Sequence, residues 1–162
     1  MLETRIATYL DIPRLEFLMS LHWEEAMRHS SPLQYDSNTC IKNLYRFLID
    51  DGHLFIVVEQ DGVIVGYFWL YVAAPHFTDE VYANEQYIFV HPAYRKSGRC
   101  FVALLRRAAD AARSIGCKFL QVGTLGGVER QERAYSKRFK KMGSIYHIPL
   151  TEESEWLQES QQ

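Results

Sequence analysis

The stretch YIFVHPAYRKSGRC, Tyr87–Cys100, runs from an aromatic and β-branched segment through a proline into a turn where Arg95, Lys96 and Arg99 crowd around Gly98. Residues 98–115 then favour a helix, with Phe101, Leu104, Leu105, Ala108 and Ala112 on one face and Gly116 as the stop. Three like charges at this spacing repel one another unless an anion lies between them. The first turn of a helix also presents backbone N–H groups with no partner inside the helix, and a glycine there lets a ligand approach the backbone closely. The stretch is therefore expected to be a strand, a tight turn and a helix start that hold an anion. The bland alternative is an ordinary turn with solvated cations. A nucleoside-triphosphate loop ending in Gly-Lys-Ser/Thr is absent, as is the three-glycine dinucleotide fingerprint.

Upstream, LFIVVEQDGVIVGYFWLYVAA, residues 54–74, reads as a hairpin about Asp61-Gly62, a pair suited to a tight turn. TRIATYL at the start is β-like, and Asp11 before Pro13 predicts a helix through about Met27, with the acid as N-cap. A second helix is expected from Ser37 to about Asp50. Downstream, KFLQVGT predicts a strand, residues 129–142 a helix and SIYHIPL a last strand. The order β-α-α-β-β-β-α-β-α-β predicts a single three-layer α/β domain, its sheet mixed but mostly antiparallel and its helices on both faces. The domain is expected over residues 1–150, with residues 151–162 a polar tail.

The chain has 162 residues, 48% of them apolar, enough for one sizeable core. Charge is lopsided: residues 1–94 hold five Lys/Arg against 13 Asp/Glu, while residues 95–141 hold 13 Lys/Arg against three acids. A basic face and an acidic face suit a polyanionic cofactor meeting a cationic substrate, although solvated helix faces give the same count. No apolar run reaches the roughly 18 residues that span a bilayer, and the opening residues lack the features of a signal peptide, so a soluble, cytoplasmic protein without a membrane partner is expected. Cys40, Cys100 and Cys117 are odd in number and far apart, which predicts free thiols. His22, Glu25 and His29 share a helix face, as metal ligands sometimes do, but any solvated face gives that spacing and no metal site is assigned. His91 and His147 are read as structural.

The residues from Asn84 to Gly143, and above all VHPAYRKSGRC, resemble the GNAT superfamily of N-acetyltransferases, whose pyrophosphate loop reads Arg/Gln-x-x-Gly-x-Gly/Ala. The motif falls on Arg95, Lys96, Ser97, Gly98, Arg99 and Cys100. The resemblance implies that these residues hold the pyrophosphate of acetyl-coenzyme A, that a neighbouring Arg or Lys reaches the 3′-phosphate, and that the backbone of Ile88, Phe89 and Val90 pairs with the pantetheine arm. The sequence departs from the family at Cys100, in the place of the last Gly/Ala. It departs again at Phe139, where a Tyr often serves as acid, and at Glu132, where an Asn is often found. Tyr135, one turn before Phe139, is the candidate acid, with a core tyrosine as the alternative.

Acetyl transfer to an amine needs a base for its proton and a donor for the thioester oxygen. The resemblance implies a backbone N–H near Val90 as the donor. Glu85, inside a strand expected to be covered on both faces, is the candidate base, and lies within a residue or two of the family's strand-borne glutamate. A strand-end carboxylate reaching solvent or an arginine is the alternative, and Asn84 or Tyr87 could instead position a water. The implied function is an N-acetyltransferase acting on an amine-bearing acceptor, small molecule or protein, by direct transfer. Two rivals are a non-catalytic acyl-coenzyme A-binding module and an RNA-binding or RNA-acetylating protein, the latter disfavoured by the acidic remainder. A homodimer is left open.

Overall fold

The computed structural model describes residues 1–27 and 33–123, with Arg133, Tyr135, Ser136 and Lys141. The chain divides into two compact units, Met1–Leu125 and Gly126–Gln162. The first contains β1 (Leu2–Ile6), α1 (Ile12–His22), α2 (Ser37–Leu48), β2 (His53–Gln60), β3 (Val63–Ala73), β4 (Tyr82–Val90), α3 (Arg99–Ser114) and β5 (Leu120–Gln121). The strands lie in the order β1-β2-β3-β4-β5, antiparallel except for the parallel pairing of β4 with β5. Each face of the sheet carries its own core. Ile56, Val58, Val65, Phe68, Leu70, Ala83, Ile88 and Val90 pack against Cys100, Leu104, Ala108, Ala111 and Ala112 of α3. Phe55, Val57, Ile64, Tyr67 and Phe89 pack against Ile12, Leu15, Leu18 and Leu44 of α1 and α2. The three-layer α/β domain with helices on both faces is what the sequence predicts.

Local chemistry explains the boundaries. The hairpin turn takes φ 53° at Asp61 and 78° at Gly62, the positive pair that a two-residue turn demands. At the far end of α3, Cys117 N–H reaches Ala112 O at 3.0 Å and Gly116 N–H reaches Arg113 O at 3.0 Å, the bonding pattern that closes a helix on a left-handed glycine. Asp36 caps α2 by accepting from Thr39 N–H at 2.7 Å. Asp11 precedes α1 as expected but does not cap it. Its carboxylate turns back to accept from Thr8 N–H at 2.7 Å and from both Nη atoms of Arg5 at 2.7 and 2.8 Å. α1 is also shorter than expected, because the chain from Trp23 to Met27 continues as a π-helical turn. The fifth strand is a two-residue piece of the expected seven. Arg133, Tyr135 and Ser136 are helical, inside the predicted helix of residues 129–142, while the last predicted strand and the boundary at residue 150 lie outside the described residues.

Two register shifts shape the sheet near β4. Between β2 and β3 the register slips at Val58/Glu59, with Val65 as the extra residue. Between β3 and β4 it slips at Trp69/Leu70, where Tyr87 and Glu85 are the successive partners and Gln86 is extra. Because strand side chains alternate, this bulge reverses which residues face which layer. Ala83 lies on the α3 side before it, Ile88 and Val90 on that side after it.

Candidate active site

β4 leaves its fifth-strand neighbour early. The parallel ladder holds Ala83 against Leu120 and Asn84 against Gln121, and there it stops. Beyond it, Gly123 N–H turns to the Glu85 carboxylate, 3.3 Å away. Residues Ile88–Val90 thus have β3 on one edge and, among the described residues, no strand on the other. A split of this kind leaves extended backbone able to pair with another extended chain. β3 presses in closely behind it: a Cβ on Gly66 would stand 2.7 Å from Phe89 O.

The same strand runs into the turn. His91 N–H bonds to Val65 O at 2.8 Å, and its Nδ1 accepts from Ala93 N–H at 3.3 Å, a structural role as expected. Gly98 is the N-cap of α3 at φ 69°, and a Cβ there would meet no atom within 4 Å, so the space beside its backbone is open. Arg99 N–H bonds weakly to Ser97 Oγ at 3.3 Å. Lys96, Ser97 and Arg99 are exposed, and Lys96 and Ser97 line a groove of about 270 Å³ with Gln60, Ala93 and Tyr94. Cys100 points the other way, buried in the core at 2% exposure. Its place at the end of the turn motif is thereby explained, since its side chain occupies no ligand space.

Arg95, expected to serve the anion, is placed against Glu25 and the end of β4. Its guanidinium makes a two-pronged pair with Glu25 in the π-helical turn, with Nη2 2.8 Å from Oε2. Its Nε donates to Val90 O at 2.5 Å, and its Cζ lies 4.9 Å from the centre of the Phe89 ring. Nothing local in the sequence announces a partner 70 residues away. Glu85 also differs from expectation: it is half-buried at the rim of the split rather than covered, and its pairing with Leu70 turns it to the α3 side. Asn84 and Tyr87 face the other way. Asn84 Nδ2 donates to Tyr71 Oη at 2.8 Å, and the Tyr87 ring lies against Trp69. Tyr135 is buried, in the second unit. Phe139 and Glu132 lie outside the described residues.

On the α1 side of Phe89 the His22 ring stacks at 4.9 Å, with Tyr87 at its edge and Tyr67 Oη 2.8 Å from Nδ1. Burial lowers the His22 pKa to about 4; nearby Glu25 raises it and Arg95 lowers it.

A split sheet beside an open, glycine-capped helix start is a cradle for a long ligand with an anionic end. The model of the acetyltransferase (GNAT) family matches residues 15–140. No curated protein matches the chain. Among solved structures, ribosomal-protein-alanine N-acetyltransferase from Brucella melitensis biovar Abortus 2308 superposes with TM-score 0.74 at 18% identity, over 93% of this chain and 100% of that one. AAC(6')-Iy, solved with the bisubstrate analogue CoA-S-monomethyl-acetylneamine, gives 0.75 at 15% identity over 93% and 99%. A transcriptional regulator from Bacillus halodurans C-125 gives 0.73 at 19% identity over 91% and 99%. At these identities the likeness is one of fold. The chain belongs to the acetyltransferase (GNAT) family. It is an acetyl-coenzyme A-dependent N-acetyltransferase, with acetyl-coenzyme A as cosubstrate. Among the described residues no helix is long and apolar enough to cross a membrane.

Proposed function

We propose that the enzyme transfers the acetyl group directly to a primary amine within a ternary complex. The observation that carries this reading is the parting of β4 from its neighbour after Asn84, on the strand that leads into the open turn at Gly98. The edge of Ile88–Val90, which has no strand on it among the described residues, suits the amide-bearing pantetheine arm, and the α3 start with Lys96 and Arg99 suits the phosphates. A backbone N–H of β4 near Val90 polarises the thioester oxygen. The amine nitrogen attacks the carbonyl carbon, its proton passes to Glu85 directly or through a water, the C–S bond breaks, and the thiolate takes a proton from Tyr135 or from solvent. The aminoglycoside and ribosomal-protein enzymes of the same fold make amines the acceptor class to try first.

The test is transfer of labelled acetyl to a panel of primary amines. Glu85→Gln is expected to lower kcat by about 100-fold and flatten the pH–rate profile while leaving acetyl-coenzyme A affinity nearly intact, because the change keeps size and removes the proton acceptor. Tyr135→Phe is expected to lose less, since the thiolate is a fair leaving group. Unaltered turnover in Glu85→Gln would move the base elsewhere. Binding of the thioester with no transfer to any amine would leave a binding module.

A further inference from the structure

Arg95 opens the turn motif, yet every polar atom of its guanidinium is already engaged away from the turn. Nη1 and Nη2 meet the two oxygens of Glu25, and Nε meets Val90 O at 2.5 Å. The flat face of the group covers the Phe89 ring at 4.9 Å, whose other neighbours include the His22 ring. These contacts tie three parts of the first unit together: the last residues of β4, the first residue of the turn, and the π-helical turn that follows α1. The fork-on-fork pairing fixes direction as well as distance, which a lysine cannot reproduce.

We propose that Arg95 is a positioning residue: its guanidinium, clamped by Glu25, fastens the phosphate-binding turn to the end of α1 and does not itself meet the phosphate. The inference rests on the reading of this turn as the acetyl-coenzyme A site. The π-helical geometry gives it a structural cause. Widening the last turn of α1 brings Glu25, a residue with no role in the sheet or core, against a turn 70 residues on. The charge count around the turn changes with it. Arg95 is neutralised within its own pair, so that Lys96 and Arg99 remain as the exposed cations of the motif. Glu25, on the α1 side, becomes a determinant of cosubstrate affinity without touching cosubstrate.

Two measurements test this, one of which needs no ligand. In the ligand-free protein, hydrogen exchange at the amides of residues 96–100 should quicken in Glu25→Gln and in Arg95→Gln to a similar degree, and no further in the double variant. Calorimetry with acetyl-coenzyme A should then show each single variant binding about three- to tenfold more weakly. The double variant should be no weaker than the poorer single one, and the exchanged pair Glu25→Arg with Arg95→Glu should recover most of the loss. Arg95→Lys should behave like Arg95→Gln, and the salt dependence of binding should be the same in Arg95→Gln as in the unaltered protein, because no phosphate contact is lost. The proposal is overturned by exchange at residues 96–100 that neither variant changes. It is equally overturned if Glu25→Gln binds as tightly as the unaltered protein while Arg95→Gln weakens binding and its salt dependence and Arg95→Lys restores both. An unaltered protein that fails to bind acetyl-coenzyme A would strike the reading of the site, and the exchange measurement would still decide the clamp.

Discussion

Gly98 holds φ 69° with empty space where a side chain would begin. Alanine there meets no clash and costs only the backbone, roughly 1–2 kcal/mol for a left-handed residue. Aspartate adds a carboxylate at the place expected to hold the pyrophosphate, so Gly98→Asp should abolish acetyl-coenzyme A binding in calorimetry while Gly98→Ala weakens it. His22 carries a second prediction. Its folded pKa, lowered mainly by burial, is about 4 against 6.5 for an ordinary histidine. Between these values the unfolded chain binds the proton and the native state does not, so stability falls as pH drops from 6.5 through 4. The loss is on the order of 3 kcal/mol. Urea unfolding at several pH values should show this slope in the unaltered protein and lose it in His22→Gln.

At the scale of elements, the bulge at Gln86 sets which side of the sheet Glu85 faces. Gln86 is exposed, and Gln86→Ala should change stability by no more than about 0.5 kcal/mol. Deleting it should also be tolerated, since simple alternation along the shortened strand keeps Ala83, Glu85, Ile88 and Val90 on the α3 side, whereas deleting two residues there would turn one half of the strand to the wrong layer. Thermal melting of the two variants compares them directly. This bulge also marks a limit of what the sequence tells. The Asp61-Gly62 turn, the amphipathic α3 and its stop at Gly116 were legible because each depends on a few adjacent residues and their allowed φ values. So were the strand, turn and helix start from Tyr87 to Cys100. The extra residue in β4, the backward turn of Asp11 to Arg5 and the capture of Arg95 by Glu25 depend on partners far along the chain, and no period or spacing encodes them. Glu85 was found as a polar residue in an apolar strand, but its half-buried place at the rim of a split needed the early end of the fifth strand to be known.

The molecule as a whole joins an acidic first half, which lies in the first unit, to a basic segment that begins at the turn and has seven of its 13 Lys/Arg in that unit. Fold class and family were readable at this scale because layer order follows from element order and the turn motif is local; the acceptor is not, since no single stretch records the surface it meets. The parting of β4 from its neighbour has one further consequence. Ile88–Val90 is a short apolar strand segment with, among the described residues, no strand on one edge, where Arg95 engages Val90 O, and such an edge is a template for any other extended chain, including that of a second molecule. The cosubstrate is then also a guard against association. Light scattering of concentrated enzyme on warming should show earlier aggregation without coenzyme A than with it, by a margin larger in temperature than the shift in unfolding midpoint measured on the same samples when dilute.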